Sequence, residues 1–169
     1  DISYNFLRSF QLFENQQGRL FALSYSGGLF VYDQAGERFT EISLSQSISQ
    51  VASVIIGSDN TIYIGASEGV FAMRIVDDAI QSFDRISEVR EVSSLAFFGN
   101  KIAVGSWVNG MYLLDIATNS SVVVSDFPTQ KINALFVDTY KNIWVSTDNG
   151  VSLLRENFFN QPFPNYLKS

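Results

Sequence analysis

The sequence contains no cysteine and no histidine, and these two absences exclude several kinds of chemistry. Without cysteine, the 169-residue chain forms no disulfide and holds no reactive or metal-binding thiolate. Without histidine, it lacks the Ser-His-Asp and Cys-His catalytic arrangements, the usual zinc ligands and the usual proton shuttle near neutral pH. The missing cysteine does not by itself fix the cellular compartment.

Positive charge is also scarce, because 11 Lys and Arg stand against 17 Asp and Glu, for a net charge of -6. No run of Lys or Arg exists that could displace counterions from a nucleic acid or bind anionic lipid, so neither is predicted as a partner. No apolar run approaches the ~18 residues of a membrane span, so this segment is not predicted to insert into a membrane. No signal peptide is visible and the chain begins at Asp1, so we expect a processed or trimmed piece of a longer protein.

The sequence does contain a strand-like motif that occurs four times, at intervals of 40 or 41 residues. The copies occupy residues 19–30, 61–71, 101–112 and 142–152, and the last glycine of each stands at position 28, 69, 110 or 150. The chain is 46% hydrophobic, rich in Phe and Tyr and poor in Pro, which favours strands around a real core. A period near 40 with glycine turns predicts an all-β fold of propeller blades.

We therefore predict a single propeller segment over residues 1–169, with four four-stranded antiparallel blades that form part of a larger propeller. The expected blades are 5–46, 50–87, 91–128 and 131–167. Each begins with an apolar inner strand, and in the second, third and fourth blades this strand carries a small residue, because the innermost strands line a crowded axis. Outer strands are expected near Phe39–Leu44, Ile80–Ile86, Ser121–Val124 and Pro162–Tyr166.

Two side-chain roles follow from this fold. Phe21, Tyr63 and Trp144 lie inside second strands and are expected to pack between neighbouring blades. The glycines at 28, 69, 110 and 150 are expected to adopt a backbone conformation that other residues avoid.

The phrases at 142–151, NIWVSTDNGV, and at 61–70, TIYIGASEGV, resemble the two-component regulator propeller repeat. Asp138 matches the acidic turn of that family, and Asp33 and Asp115 match the aspartate after its third strand, where Arg74 and Arg155 stand in the other two copies. The resemblance implies an extracytoplasmic, periplasmic or extracellular, sensor propeller of bacterial hybrid histidine kinases and related signalling proteins.

The family closes its rings with more than four copies. Three arrangements therefore stay open: half of a longer propeller, four blades that close alone, or two chains that complete a ring. We expect self-association or pairing with further blades, because open half-rings expose apolar faces and strand edges.

In propellers, ligands usually meet the loops between second and third strands and between successive blades. In the first set of loops the candidates are Ser24, Tyr25, Ser26, Ser67, Glu68, Trp107, Asn109, Thr147, Asp148 and Asn149; in the second they are Gln46, Gln50, Arg90, Glu91 and Gln130. Tyr25 and Trp107 stand in longer turns, where an aromatic ring either stacks on a sugar or covers a neighbouring blade. The strongest ligand-binding candidates are Tyr25, Glu68, Trp107, Asn109, Asp148 and Asn149.

The leading functional hypothesis is a non-catalytic module that senses an oligosaccharide or another small ligand. The alternative is a protein-interaction scaffold, and an enzyme is disfavoured because histidine and a convincing carboxylate pair are missing. The pair Asp77-Asp78 is interpreted as a solvated turn, and no metal or cofactor site is predicted.

Overall fold

The computed structural model describes residues 10–124 and 130–155, and every regular element in these two ranges is a β-strand. The strands are β1 Phe10–Glu14, β2 Leu20–Ser24, β3 Leu29–Asp33, β4 Arg38–Ile42, β5 Ser53–Ile56, β6 Ile62–Ala66, β7 Gly69–Val76, β8 Ala79–Ser87, β9 Val92–Phe98, β10 Lys101–Ser106, β11 Gly110–Asp115, β12 Ser121–Val124, β13 Ile132–Val137, β14 Ile143–Thr147 and β15 Gly150–Leu154. These ranges contain no helix long and apolar enough to cross a membrane.

Consecutive strands pair antiparallel into four separate sheets, named sheets 1 to 4 in chain order. Sheets 1, 2 and 3 have four strands each, in the orders β1-β2-β3-β4, β5-β6-β7-β8 and β9-β10-β11-β12. Sheet 4 has the three strands β13-β14-β15 among the described residues. The predicted all-β fold of antiparallel blades is confirmed, and the outer strand predicted at Pro162–Tyr166 lies outside the described residues.

The core lies between the sheets, because alternate residues along each strand point to opposite faces and both faces are apolar. One cluster joins sheets 1 and 2 through residues such as Phe21, Leu29 and Ile64. A second joins sheets 2 and 3, with Tyr63 and Val70 against Val104, and a third joins sheets 3 and 4. Each cluster joins two neighbouring sheets, so sheets 1 to 4 stand in a row.

The inner strands approach one another closely, which explains their small residues. The Ser53 hydroxyl accepts a hydrogen bond of 3.0 Å from the backbone N–H of Leu95 in the next sheet. A Cβ atom at Gly65 would lie 2.5 Å from Cγ1 of Val92, so any side chain there would push the neighbouring inner strand away.

The predicted left-handed backbone conformation is wrong for Gly28 and confirmed for the other three repeat glycines. Gly69, Gly110 and Gly150 have φ angles of 149°, 80° and 117°. In the first copy the left-handed residue is Gly27, with φ 92°, and Gly28 is not left-handed. A Cβ at Gly27 would also lie 2.1 Å from the Ile48 carbonyl oxygen. In the first copy, Gly27 is therefore the position that requires glycine.

The predicted burial of the second-strand aromatics is correct for Phe21 and Tyr63 but wrong for Trp144. The first two are 0% and 5% exposed, whereas Trp144 is 40% exposed. The physical reason is its place in sheet 4, whose face on that side meets no other sheet in the part of the chain that the structure describes.

Candidate functional site

The loops between second and third strands meet the loops that lead into the next sheet, and together they form one surface, here called the loop face. Backbone hydrogen bonds connect them in sequence, from Ser67 N–H to the Ser49 carbonyl and from Glu91 N–H to the Ser67 carbonyl, each 3.0 Å long. Trp107 N–H then donates to the Glu91 carbonyl at 2.9 Å. The structure therefore brings most of the predicted site loops together.

Two residues of the loop face hold a left-handed backbone conformation without being glycine. Gln50 and Glu91 have φ angles of 49° and 52° and occupy equivalent positions before sheets 2 and 3. Such conformations cost free energy and persist only where the surroundings impose them. The cross-loop hydrogen bonds supply that constraint, so the loop face has a defined shape.

The two aromatic candidates are both half-buried. The Tyr25 hydroxyl donates to Oε1 of Gln50 at 3.2 Å, and its carbonyl accepts from Val51 N–H at 2.9 Å. Trp107 is tied to Glu91 through its backbone. Tyr25 thus joins sheet 1 to the loop that leads into sheet 2, whereas Trp107 joins the β10–β11 turn to the loop that leads into its own sheet 3. Ligand stacking by either ring stays a prediction.

Glu68 uses its carboxylate to connect sheet 2 with the loop that precedes it. The backbone N–H and the hydroxyl of Ser49 donate to the carboxylate at 3.0 Å and 2.7 Å. Burial raises the pKa of Glu68, but these hydrogen bonds outweigh burial and leave the pKa below its usual value. The carboxylate therefore stays ionised and holds the loop.

The two candidates in sheet 4 are exposed. Asp148 accepts from Nδ2 of Asn133 at 2.9 Å and from the Lys131 ammonium at 3.0 Å. The hydrogen bond from Asn133, with that from Lys131, lowers the pKa of Asp148. The backbone N–H of Asn149 donates to the Thr147 hydroxyl, which leaves the Asn149 side chain outside that turn contact.

Asn109 is exposed and lines a groove between sheets 2 and 3, here called the groove. Its volume is about 480 Å³, and its lining is Arg85, Ile86, Ser87, Glu88, Val89, Asn109, Tyr112, Asn119 and Ser121. The Ser87 and Ser121 hydroxyls lie 2.8 Å apart and fix the spacing of the two sheets. The groove combines a half-buried tyrosine ring with amide, hydroxyl and charged groups.

These groups suit a neutral ligand rich in hydroxyls. Arg85 pairs with Glu88 at 3.2 Å, so the two charges compensate each other locally. Amides and paired charges offer both donors and acceptors, and an aromatic ring offers an apolar surface. Within residues 10–124 and 130–155 no group of three or more Asp and Glu could hold a metal ion.

A second cavity lies at the end of sheets 1 and 2 opposite the loop face and is here called the crevice. It has a volume of about 480 Å³ and is lined by Asn15, Gln17, Arg19, Asp59, Asn60, Arg74, Ile75, Val76, Asp77 and Asp78. Asp78 forms a two-pronged ion pair with Arg19 of sheet 1, and Arg74 pairs with Asp59 at 2.5 Å.

Asp77 and Asp78 form the exposed turn that the sequence predicted, and Asp78 in addition pairs with Arg19 of sheet 1. Its partner stands 59 residues earlier in the sequence, so no local pattern could reveal it. Asp77 and Asp78 have positive φ angles of 50° and 61°. These angles form the tight turn at the tip of the β7–β8 hairpin, which extends toward sheet 1.

The comparisons with known proteins agree with this architecture. Residues 126–149 match the family described as Two component regulator propeller. The match lies in the fourth copy of the repeat. The resemblance of the fourth copy to that family is thereby confirmed. No curated protein matches the sequence.

Solved structures show the same fold at low sequence identity. The extracellular domain of BT4673 from B. thetaiotaomicron, described as a hybrid two component system, is 18% identical with a TM-score of 0.73, over 88% of this chain and 20% of that chain. The extracellular domain of BT3049 from the same organism, described likewise, is 20% identical with a TM-score of 0.66, over 83% and 19%. PorZ from the type-IX secretion system of Porphyromonas gingivalis is 16% identical with a TM-score of 0.66, over 88% and 26%. This chain spans about a fifth to a quarter of these structures.

Proposed function

We propose that this chain is a ligand-sensing propeller module of a bacterial signal-transduction protein, acting in the periplasm or outside the cell and without catalysis of its own. Its two-component regulator propeller repeat and the named setting of the two B. thetaiotaomicron structures support this proposal. Because one fold serves many functions, the ligand must be argued from a site.

The groove is the observation that carries the proposal. Asn109, predicted as a ligand residue, stands there with Tyr112 and Asn119, and the Arg85–Glu88 pair compensates charge. An oligosaccharide fits this chemistry, because its hydroxyls take the amide hydrogen bonds and its apolar ring face lies on tyrosine.

Calorimetric titration of the chain with a panel of neutral oligosaccharides tests the proposal. We expect one glycan class to bind, and Asn109→Ala to weaken it about fivefold, since a lost hydrogen bond of ~1 kcal/mol corresponds to roughly that factor. Asn100→Ala is the matched control, because Asn100 is exposed in the β9–β10 turn and does not line the groove. Equal weakening by both variants, or no binding across the panel, contradicts the assignment.

A protein-interaction scaffold is the second candidate, and the likeness to PorZ favours it. In that case the panel gives no binding, and a pull-down with the isolated chain recovers one stoichiometric protein partner. Turnover of any bound glycan would contradict the non-catalytic part of the proposal.

A further inference from the structure

The outer strand of sheet 3 presents an uncharged, apolar edge, here called the valine edge and formed by Ser121–Val124. Val122 and Val123 are 64% and 54% exposed, and consecutive strand residues point to opposite faces, so both faces of this edge are apolar. Among residues 10–124 and 130–155 no strand pairs with the outer side of β12. An exposed apolar edge of this kind is a template for pairing with another strand.

The outer strands of sheets 1 and 2 carry polar or charged residues at the same positions. The strand registers give the equivalent residues, which are Thr40 and Asp84 for Val122, and Glu41 and Arg85 for Val123. The pairing of β7 with β8 is also interrupted by register shifts. Charged side chains and bulges protect an edge from pairing, and of these three outer strands only β12 has neither.

The apolar residues of the other two outer strands already have neighbours. Ile42 of β4 and Phe83 of β8 belong to the core cluster between sheets 1 and 2. On β12 only Val124 packs in this way, against the cluster between sheets 3 and 4. Val122 and Val123 belong to none of the three clusters, so their apolar surface is left for a contact outside sheet 3.

The hydrogen-bond pattern of β12 shows which of its backbone groups face outward. Asp115 N–H donates to the Ser120 carbonyl at 2.9 Å, which makes these two residues a hydrogen-bonded pair. Hydrogen-bonded and non-hydrogen-bonded pairs alternate along an antiparallel ladder, so Val122 bonds β11, whereas Ser121 and Val123 direct their N–H and C=O groups away from it. Ser121 and Val123 therefore supply the donors and acceptors of the valine edge.

We infer that the valine edge pairs antiparallel with the valine edge of a second copy of this chain, which joins two copies of sheet 3 into one continuous sheet. A two-fold axis perpendicular to the sheet keeps each residue on its own face, so the residue at the axis pairs with itself. With Val122 at the axis, Ser121 of each copy lies opposite Val123 of the other, and every outward N–H and C=O group of these residues is bonded. The two Val122 residues form the central non-hydrogen-bonded pair, in which side chains are closest.

A second copy is the occupant that the charges favour. Residues 116–125 contain no charged side chain, while the whole chain carries a net charge of -6. Two valine edges therefore meet without the repulsion that opposes contact between copies elsewhere, whereas the same pairing of β8 would place Asp84 opposite itself. The exposed valines need an apolar strand beside them, and the second copy supplies one.

Single cysteines test both the contact and its register, because the natural chain has none. In a non-hydrogen-bonded pair the Cα atoms lie about 4.5 Å apart, within the roughly 4.4–6.8 Å that a disulfide spans. Val122→Cys should therefore oxidise to a covalent dimer, whereas Val123→Cys, opposite Ser121, should yield little. Thr40→Cys, at the equivalent exposed position of β4, is the matched control. Equal or faster cross-linking of Val123→Cys or Thr40→Cys overturns the inference.

Analytical ultracentrifugation of the natural chain tests association without a cross-link. We expect a concentration-dependent species of twice the 18.9 kDa chain mass. Val122→Asp should abolish this dimer by placing two carboxylates face to face at the axis, whereas Thr40→Asp should leave it unchanged. The inference fails for a chain that is monomeric at every concentration, or for a dimer that Val122→Asp leaves intact.

Val123→Pro tests the contribution of the backbone. Proline removes the outward N–H of residue 123 without removing a bond to β11, so sheet 3 should stay intact while the dimer is lost. Glu41→Pro, at the equivalent position of β4, is the control and should dimerise like the natural chain. Circular dichroism and a thermal melt establish that each variant is folded. A folded Val123→Pro variant with undiminished dimerisation excludes main-chain pairing at this edge, and a chain that never dimerises but binds a foreign extended peptide there would assign the edge to another protein.

Discussion

At the scale of single residues, one carboxylate decides how the loop between sheets 1 and 2 is held. Glu68 accepts two hydrogen bonds from Ser49, one from its backbone and one from its hydroxyl. A charge-assisted hydrogen bond contributes more than a neutral one because the acceptor carries the full negative charge. The two hydrogen bonds from Ser49 therefore hold this surface loop in place on the loop face.

We expect Ser49→Ala to lower the melting temperature by about 2–4 °C, since losing the hydroxyl hydrogen bond costs ~1 kcal/mol in a chain of this size. The lowered pKa of Glu68 adds a pH dependence: the stabilisation is present above the unfolded-state pKa and is lost as pH falls through the folded-state pKa. Differential scanning calorimetry of the wild type and Glu68→Gln should show the two melting temperatures converging in acid. A constant difference across pH would contradict this account.

The sequence predicted which residues lie on the loop face better than it predicted which residues they contact. The sequence identified Tyr25, Glu68, Trp107 and Asn109 as loop-face residues, because their spacing from the repeat glycines fixes their place in the turn. It could not show that Glu68 bonds Ser49, since that contact depends on how two loops approach in space. Only Asn109 of these four lines the groove.

At the scale of elements, the β7–β8 hairpin is the irregular part of a regular repeat. Its strands, Gly69–Val76 and Ala79–Ser87, have 8 and 9 residues, whereas the corresponding strands of sheet 1 have 5 each. The extra length carries Asp78 to Arg19 of sheet 1. The repeat predicted a third strand and an outer strand here but not their length, because the charged residues around the tip of the hairpin resemble an ordinary turn.

Replacing Asp78 measures what this contact between sheets contributes. Asp78→Asn keeps a residue that tolerates the left-handed turn, and we expect a loss of less than about 1 kcal/mol because the ion pair is partly exposed. The loss should disappear at high salt, where screening removes the interaction. Asp77→Asn in the same turn is the control for total charge; urea unfolding that shows equal losses for both would exclude a specific Asp78–Arg19 contribution.

At the scale of the whole molecule, four similar sheets in a row differ in how many neighbours they have. Sheets 2 and 3 are covered on both sides, so β6 is buried throughout and β10 nearly so. In sheet 4, β14 alternates between buried and more exposed residues, because its outward side chains meet no other sheet among the described residues. The repeat period predicted this row from the sequence, but a repeat does not show which face stays uncovered in residues 10–124 and 130–155, and for that reason the burial predicted for Trp144 is wrong.

This difference in coverage predicts an order of local stability. Amide hydrogen exchange followed by mass spectrometry should show β6 and β10 as the slowest segments and β14 as faster, because opening sheet 4 exposes less buried apolar surface. Equal protection of β6 and β14 would contradict the link between neighbour number and stability.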